Sequence, residues 1–502
     1  MAKICLCLTG KTLSRDVELL DKYRKYVDLA ELRVDCLDSD ERLHIRRFPE
    51  MAGLPVILTI RREVDGGYFA GGEGSRIGLL SRGLAFAEPD RRYNFAFVDL
   101  EDYLDAPNLE EAARSFGTRV IRSRHNINGI EADMAGILRR LRRVGDELVK
   151  LAVMPHSSED LLAVFRAAQE TPDIDKTLIC MGPFGAPSRI LTEHFGSQIS
   201  YTSASGERDL PIAASGQLDP KELAELYHFR SISRQTKVFG ITGFPLKTTL
   251  SPAFFNTAFG LENIDAVYVP FSTDSVGPFL ELAAEIGVAG VSVTIPHKES
   301  VLPFLTSASE AVQGIAACNT LVYTPQGWAG FNVDAAGFST ALLDFINKKN
   351  FKGQRVTIVG AGGASRAVAA EVFRLGGKAL VLNRSEVKAR DLAEQYHFAW
   401  AALDSKGIDT MKKYADIIIQ TTSVGMEGYE QSDPIAMYKF SGFEVVMDLI
   451  YKPERTMLLR RATAAGCRVL NGYDMLIQQA QLQYRHFMGV DFPRHLMSRM
   501  IF

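Results

Sequence analysis

The sequence predicts an α/β protein: an N-terminal (β/α)8 barrel of TIM type, then a further α/β domain, then a Rossmann-type nucleotide-binding domain. Three observations predict it. Eight short apolar runs recur at regular intervals through the first half, with helical patterns between most of them. A polar tail ends that series near residue 234, and KVFGITG (237–243) begins a new strand. Much later, KGQRVTIVGAGGASRAVAAEVFRLGG (352–377) reads as strand, glycine turn and helix. At 502 residues the chain is too long for one hydrophobic core.

The eight runs are KICLCLT (3–9), LAELRVD (29–35), PVILTIR (55–61), FAFVDLE (95–101), TRVIRSRH (118–125), ELVKLAVM (147–154), TLICMG (177–182) and the weaker QISYTSA (198–204). Strands alternating with helical stretches such as LLAVFRAAQE (161–170) imply parallel pairing. Eight such units in about 230 residues fit a closed barrel. A doubly wound open sheet is the alternative. DPKELAELYHFRSISRQT (219–236) reads as a helix running into a polar tail. The expected domains are 1–234, 235–338 and 339–475, with helices of 476–502 packing back on the second domain.

Composition narrows the function classes. The chain is 46% hydrophobic and 23% charged with a net charge of -3, so neither nucleic-acid nor membrane partners are expected. No 18-residue apolar run and no leader pattern is present. The six cysteines are scattered without a CxxC pair, which points to a reducing, cytoplasmic setting. No ligand cluster has zinc spacing, so no metal is expected.

Lys150 is the most unusual residue of the first half, set within the apolar strand LVKLAVM. Burial lowers a lysine pKa, and a neutral amine is what Schiff-base chemistry requires. The plain alternative is a strand-end lysine reaching solvent. His125 ends the preceding strand, and strand C-termini share one face of a parallel barrel, so the two could meet there. Arg61 ends the third strand, Glu31 and Arg33 lie in the second, and Arg189 follows the seventh. One histidine, one buried lysine and several arginines suit an anionic carbonyl substrate.

Residues 1–225 resemble the type I 3-dehydroquinate dehydratases through ELRVD (31–35), TIRREVDGG (59–67), SRHN (123–126), VKLA (149–152), MGPFGAPSRI (181–190) and ASGQ (214–217). The resemblance implies that Lys150 forms an imine with the C3 carbonyl of 3-dehydroquinate. His125 would remove the C2 proton and assist loss of the C1 hydroxyl. Arg189 would hold the carboxylate, Glu31, Arg33 and Arg61 the hydroxyls, and Gln217 would close over the ligand from a loop. Asp65 stands where the family has a glutamate, Ala213 where it has a serine, and Ser215 where it has a proline.

In the second half, GAGGAS (360–365) follows a strand and opens a helix, a setting for a pyrophosphate on a helix N-terminus. The next strand, ALVLNRS (379–385), ends on Asn383, Arg384 and Ser385 instead of an acid. A cation there favours NADP over NAD, unless Arg384 is a plain surface charge. The expected cofactor residues are Gly360, Ala361, Gly362, Gly363, Ala364, Asn383, Arg384, Ser385 and Gly472.

Residues 237–488 resemble the shikimate dehydrogenases through GFPLKTTLSP (243–252), GVSVTIPHK (290–298), AACNTL (316–321), GFNVDAAG (330–337), TTSVGM (421–426), DLIYKPERT (448–456) and NGYDMLIQQA (471–480). The resemblance implies a catalytic pair, Lys298 and Asp334, which taken alone is as easily a solvated ion pair. It also implies Thr249 and Ser251 at the substrate carboxylate, with Thr294, Asn319, Tyr451 and Gln479 completing the pocket. Thr249, Ser292 and Gln420 depart from the family's serine, asparagine and asparagine.

Together these features imply a bifunctional enzyme of the shikimate pathway, leading to chorismate and the aromatic amino acids, in which 3-dehydroshikimate made by the first half is reduced by the second with NADPH. A non-catalytic quinate or shikimate sensor would tend to lose Lys150, His125, Lys298 or Asp334, and all four are present. A quinate-oxidising dehydrogenase is the other alternative.

Overall fold

A computed structural model describes all residues except 86–87, 208–209, 247–248, 427 and 498–502. Contacts divide the chain into two compact units, Met1–Val288 and Ala289–Arg499.

The first unit begins with eight strands: β1 (Lys3–Leu8), β2 (Leu29–Arg33), β3 (Val56–Thr59), β4 (Phe97–Glu101), β5 (Arg119–Asn126), β6 (Leu148–Val153), β7 (Lys176–Cys180) and β8 (Ile199–Thr202). All neighbours pair in parallel, in the order β7-β6-β5-β4-β3-β2-β1-β8. The ring closes between β7 and β8 through one bridge, Lys176 to Ser197, and the bond from Gln198 N to the Lys176 carbonyl at 2.9 Å. The open sheet is thereby excluded. Inward-facing Cys5, Leu29, Ile57, Ile121, Leu148 and Ile199 fill the barrel as a packed core. The connecting helices are α1 (Leu13–Tyr23), α2 (Phe48–Ala52), α3 (Glu73–Leu84), α4 (Pro107–Ser115), α5 (Met134–Leu141), α6 (Ser158–Gln169) and α7 (Ala186–Ile190).

The stretch 219–236 holds the expected helix and tail: a π-helix at Glu222–Leu226, then His228 at φ 49° and a 3-10 turn at Phe229–Ser231. A left-handed histidine cannot continue a helix, so the apolar pattern ends there. The unit continues with β9 (Lys237–Gly243), α8 (Ser251–Leu261), β10 (Ala266–Ser272) and α9 (Val276–Ile286), β9 and β10 being parallel. This segment docks on the barrel. Asp274 accepts from Ser158 N and Oγ at 2.7 and 2.9 Å, and Arg166 of α6 reaches Glu281 and Glu285 of α9.

The second unit opens with β11 (Val288–Val293), α10 (His297–Ser300), β12 (Leu305–Ala308), α11 (Glu310–Ile315), β13 (Thr320–Thr324), β14 (Gly327–Phe331) and α12 (Asp334–Ile346). Here β13 pairs antiparallel with β11 and β14, and β12 runs parallel to β14. A doubly wound sheet follows: β15 (Arg355–Val359), α13 (Gly363–Arg374), β16 (Lys378–Asn383), α14 (Glu386–Glu394), β17 (Ala399–Ala402), α15 (Ser405–Met411), β18 (Ile417–Gln420), β19 (Val445–Asp448), α16 (Met457–Ala464) and β20 (Arg468–Leu470). Its order, β17-β16-β15-β18-β19-β20, is the Rossmann order 3-2-1-4-5-6. Val356 and Ile358 pack into one face of that sheet, Val359 and Leu380 into the other, which is why these strands are apolar throughout. The last long helix, α17 (Gly472–Met488), lies against α12, where a Cβ on Gly337 would meet Gln479 Cγ at 2.6 Å.

Candidate active sites

The barrel encloses a cavity of about 250 Å³ at the C-terminal ends of its strands. Its wall includes Lys150, His125, Glu31, Arg33, Arg61, Arg189 and Gln217. Every barrel residue expected from the sequence therefore meets at one place. Strand alternation explains it: Glu31 and Arg33, two apart on β2, face the same side.

Lys150 does not reach solvent; its side chain is 5% exposed. Nor is its amine neutral, which corrects the sequence-based expectation. Nζ lies 2.9 Å from Asp99 Oδ2 and 3.5 Å from Glu31 Oε1. Burial pushes the amine down, but these carboxylates more than reverse it and hold the pKa above the ordinary lysine value. Asp99 also pairs with Arg61 at 2.8 Å and accepts from Ser123 Oγ. Burial disfavours its charge, yet Arg61 and Lys150 keep the carboxyl far below the usual range. Glu31 accepts from Thr59 Oγ1 at 2.9 Å and from Cys7 Sγ at 3.1 Å.

Burial, followed by the cations Arg61 and Lys150, holds the His125 imidazole well below its ordinary value, so the ring is neutral and able to take a proton. Its Nδ1 is sealed and without a partner. Asp65 lines the cavity but bonds Arg62 Nε at 3.0 Å and the Tyr103 hydroxyl. Arg33 grips Asp35 with both Nε and Nη2, at 3.0 and 2.7 Å. Arg61 is shared between Asp99 and Glu101.

Arg189 differs from the other two cavity arginines. It is 2% exposed and faces no carboxylate. Its Nη1 donates to the Tyr201 carbonyl at 3.1 Å, Nη2 to the Ser215 carbonyl at 3.4 Å, and Nε has no partner. Burial lowers this guanidinium to about 10. A buried cation without a counter-charge is a site for an anion. The loop above it is tied down by Arg33 Nη1 on the Ala213 carbonyl at 3.3 Å, Gly182 N on the Ser215 carbonyl at 3.1 Å, and Gln217 Nε2 on Cys7 Sγ at 3.2 Å.

The second constellation lies at the start of α12. Lys298, from α10, pairs with Asp334 Oδ2 at 2.5 Å. Asp334 Oδ1 accepts from Asn319 Nδ2 and Gln479 Nε2, both at 2.7 Å. Three expected residues from three segments thus meet on the carboxylate of a fourth, Asp334. The pair is not a loose surface contact, because neutral amides fix the aspartate while the lysine stays 26% exposed. Thr294 precedes α10, its carbonyl accepting from His297 N at 2.9 Å. Tyr451 is half-buried after β19, and burial raises its phenol.

In the first unit, Thr249 Oγ1 accepts from Ser251 N at 3.2 Å, and Ser251 opens α8. Lys247 and Thr248 of the same motif lie outside the described residues. The departures at Ser292 and Gln420 have local reasons. Ser292 Oγ bonds Gln483 Oε1 at 2.8 Å. Gln420 Nε2 donates to the Thr422 and Val424 carbonyls, both at 3.0 Å, bracing the TTSVGM turn.

The glycine turn fits a dinucleotide phosphate. Gly360 sits at φ 120°, where a Cβ would meet Thr421 Oγ1 at 2.4 Å. Cβ atoms on Gly362 and Gly363 would meet nothing within 4 Å, leaving the N-terminus of α13 open to approach. Ser365, at the third glycine position, accepts from Gly362 N at 3.1 Å and bonds Thr421 Oγ1 at 2.6 Å, so it braces the turn. Ala361 and Ala364 flank these glycines. Arg384 is exposed and forms no ion pair among the described residues, and Ser385 caps α14. Lys388, also exposed, lies four residues beyond Arg384. Gly472 has a packing reason: a Cβ there would sit 2.0 Å from the Leu449 carbonyl.

Sequence reasoning missed Asp99, Glu101 and Ser123. The signal was present, since two acids alternating in FVDLE must both face the barrel interior. Among the described residues no group of histidines, cysteines and acids could hold a metal, and no helix is long and apolar enough to cross a membrane.

Comparison with known proteins finds relatives for each half of the chain. The family model for type I 3-dehydroquinase matches residues 4–234. Those for the shikimate dehydrogenase substrate binding domain and for shikimate / quinate 5-dehydrogenase match 241–321 and 344–432. The chain is 28% identical over 486 residues to the chloroplastic bifunctional 3-dehydroquinate dehydratase/shikimate dehydrogenase of Arabidopsis thaliana, covering 93% of this chain and 79% of that one. It is 34% identical over 269 residues to the NADP(+) shikimate dehydrogenase of Shouchella clausii, covering 53% of this chain and 98% of that one. The shikimate 5-dehydrogenase of Thermus thermophilus, solved with NADP(H) and shikimate, shares 30% identity over 53% of this chain and 98% of its own, with a TM-score of 0.47. The first half matches the type I 3-dehydroquinase model, and over its second half the chain belongs to the shikimate dehydrogenase family.

Proposed function

We propose that the chain dehydrates 3-dehydroquinate to 3-dehydroshikimate in the barrel and reduces that product to shikimate with NADPH in the second half. The observation that carries this reading is one cavity holding a lysine nucleophile, a neutral imidazole and a buried arginine without a counter-charge.

The substrate carboxylate pairs with Arg189, which also draws the ligand toward Lys150. Because Lys150 rests as an ammonium, it must give up a proton before attacking; neutral His125 is the available acceptor. The amine then adds to the C3 carbonyl, and His125 returns that proton to the carbinolamine oxygen, which leaves as water to form the protonated imine and frees the imidazole again. The imine withdraws electrons from C2, His125 takes the C2 proton, and the C1 hydroxyl departs as water when the same group returns a proton. Hydrolysis of the imine restores Lys150 and releases 3-dehydroshikimate. Gln217 closes over the ligand.

In the second reaction Lys298 gives a proton to the oxygen that becomes the new hydroxyl, and Asp334, fixed by Asn319 and Gln479, orients that lysine. Thr249 and Ser251 hold the carboxylate, and Thr294 and Tyr451 bond ring hydroxyls. Gly360, Gly362 and Gly363 leave room for the pyrophosphate, and Arg384, with Lys388 one turn on, supplies charge for the 2′-phosphate. NADPH, when bound, supplies the two electrons that reduce the C3 carbonyl.

The working divisions are a dehydratase at 1–234, a substrate domain at 235–338, a nucleotide domain at 339–475 and a C-terminal segment from 476. The chain acts on small acids in the cytoplasm, without a nucleic-acid or membrane partner.

The test is a coupled assay. Purified chain given 3-dehydroquinate and NADPH should oxidise one NADPH per shikimate formed, and should turn over shikimate faster than quinate in reverse. Reduction of 3-dehydroshikimate without consumption of 3-dehydroquinate would overturn the bifunctional reading.

A further inference from the structure

Tyr201 lies on β8, in register with Cys5 of β1, and its side chain enters the barrel among the cavity-lining residues. It is 3% exposed. The ring face sits 4.1 Å from Lys150 Nζ, a distance at which the negative face of an aromatic ring attracts an ammonium. The ring thus forms one wall against the reacting amine.

The phenol oxygen is unusual. It is sealed from the surface and has no hydrogen-bond partner in the protein. Phenylalanine would fill the same wall and make the same contact with Lys150 without burying an unpaired hydroxyl, which is costly. Three more sealed, unpartnered polar atoms belong to the same cavity: His125 Nδ1, Arg189 Nε and Gln217 Oε1. A ligand carrying several oxygens would answer such a set together. Within the dehydratase reading, a carboxylate answers Arg189 and the proton transfers employ His125, but no part of that scheme engages Tyr201.

We propose that the Tyr201 hydroxyl is a specificity-determining group of the dehydratase, donating a hydrogen bond to a ring hydroxyl of the polyhydroxylated acid while its ring flanks Lys150. The proposal rests on the dehydratase reading above. The donor role agrees with the surroundings, since burial and then Glu31 raise the phenol well above its ordinary value and keep it protonated.

Tyr201→Phe removes the oxygen and keeps the ring. The variant should raise KM for 3-dehydroquinate about tenfold with kcat within about twofold, the pattern of a lost binding contact. Reduction of 3-dehydroshikimate by the same sample should be unchanged, which also reports that the chain is folded. A substrate analogue lacking the contacted hydroxyl should bind wild type and Tyr201→Phe equally. Should the variant fold poorly, competition by a series of single-deoxy analogues on the wild-type protein reads the same contact, one of them losing about tenfold in affinity. A KM unchanged in Tyr201→Phe, or a deoxy series in which no position matters, overturns the proposal. Absence of any 3-dehydroquinate turnover by the wild-type protein would instead overturn the dehydratase reading, and this inference with it.

Discussion

Each candidate site is built on a lysine–aspartate pair, and the two pairs differ in physics. Lys150 and Asp99 are 5% and 0% exposed and belong to a buried lattice of charges that includes Glu31, Arg61 and Glu101. Lys298 and Asp334 are 26% and 7% exposed, and the aspartate is held by two neutral amides. In the barrel, charge balances charge, so losing one member strands another in a low-dielectric interior. In the second site the amides keep the aspartate in place whatever the lysine does. The first arrangement suits an amine that becomes covalently bound within a buried cavity. The second suits a lysine that exchanges protons with solvent each turnover.

The largest expected break in this comparison is Lys150→Met. It should lower dehydratase kcat by on the order of 10⁴-fold or more and leave the dehydrogenase rate within about twofold. Assaying each half-reaction separately checks it; a surviving dehydratase would remove the covalent role. Asp334→Asn comes next, with a loss on the order of 10²-fold in dehydrogenase kcat and little change in the melting temperature, because the amides no longer restrain a charge. A large fall in stability instead would mean that this pair behaves like the buried one.

Smaller in effect, Arg384→Ala should raise KM for NADPH about tenfold while KM for NADH stays constant, since an exposed cation contributes modestly. Equal effects on both coenzymes would assign Arg384 to the surface.

A third buried carboxyl sharpens the contrast at the level of stability. Asp16 of α1 accepts from Gly10 N at 2.8 Å, but burial pushes it up to about 7. The folded state holds this proton more tightly than the unfolded state, so its contribution is complete below the unfolded value and is lost as pH rises toward 7. Asp16→Asn should therefore gain stability over wild type between pH 5 and pH 8, by roughly 2–3 kcal/mol. Denaturant titrations at both pH values check the sign, and a constant difference would contradict it.

Much of this was legible because the barrel strands are continuous apolar runs and their ends carry the odd residues. Lys150 and Glu31 stood out as polar groups interrupting such runs, His125 as a strand end, and Arg189 by following the seventh strand. The state of Lys150 was not legible, because it depends on Asp99, which comes from a strand 51 residues away in sequence. Burial alone predicted a neutral amine, and the neighbouring carboxylates reversed that sign. Within 219–236 the helix was readable but its end was not, because periodicity cannot reveal that His228 takes a left-handed conformation. Glycines 360, 362 and 363 were readable as a turn, while the bracing by Ser365 and Thr421 required the fold.

The central claim is that Lys150, and not the similar-looking Lys298, forms a covalent bond with substrate. Borohydride reduction during turnover of 3-dehydroquinate, followed by peptide mapping, tests it directly. One adduct per chain on the peptide bearing Lys150, with Lys298 unmodified, is the predicted result. An adduct on another lysine, or full turnover with none trapped, would contradict the account.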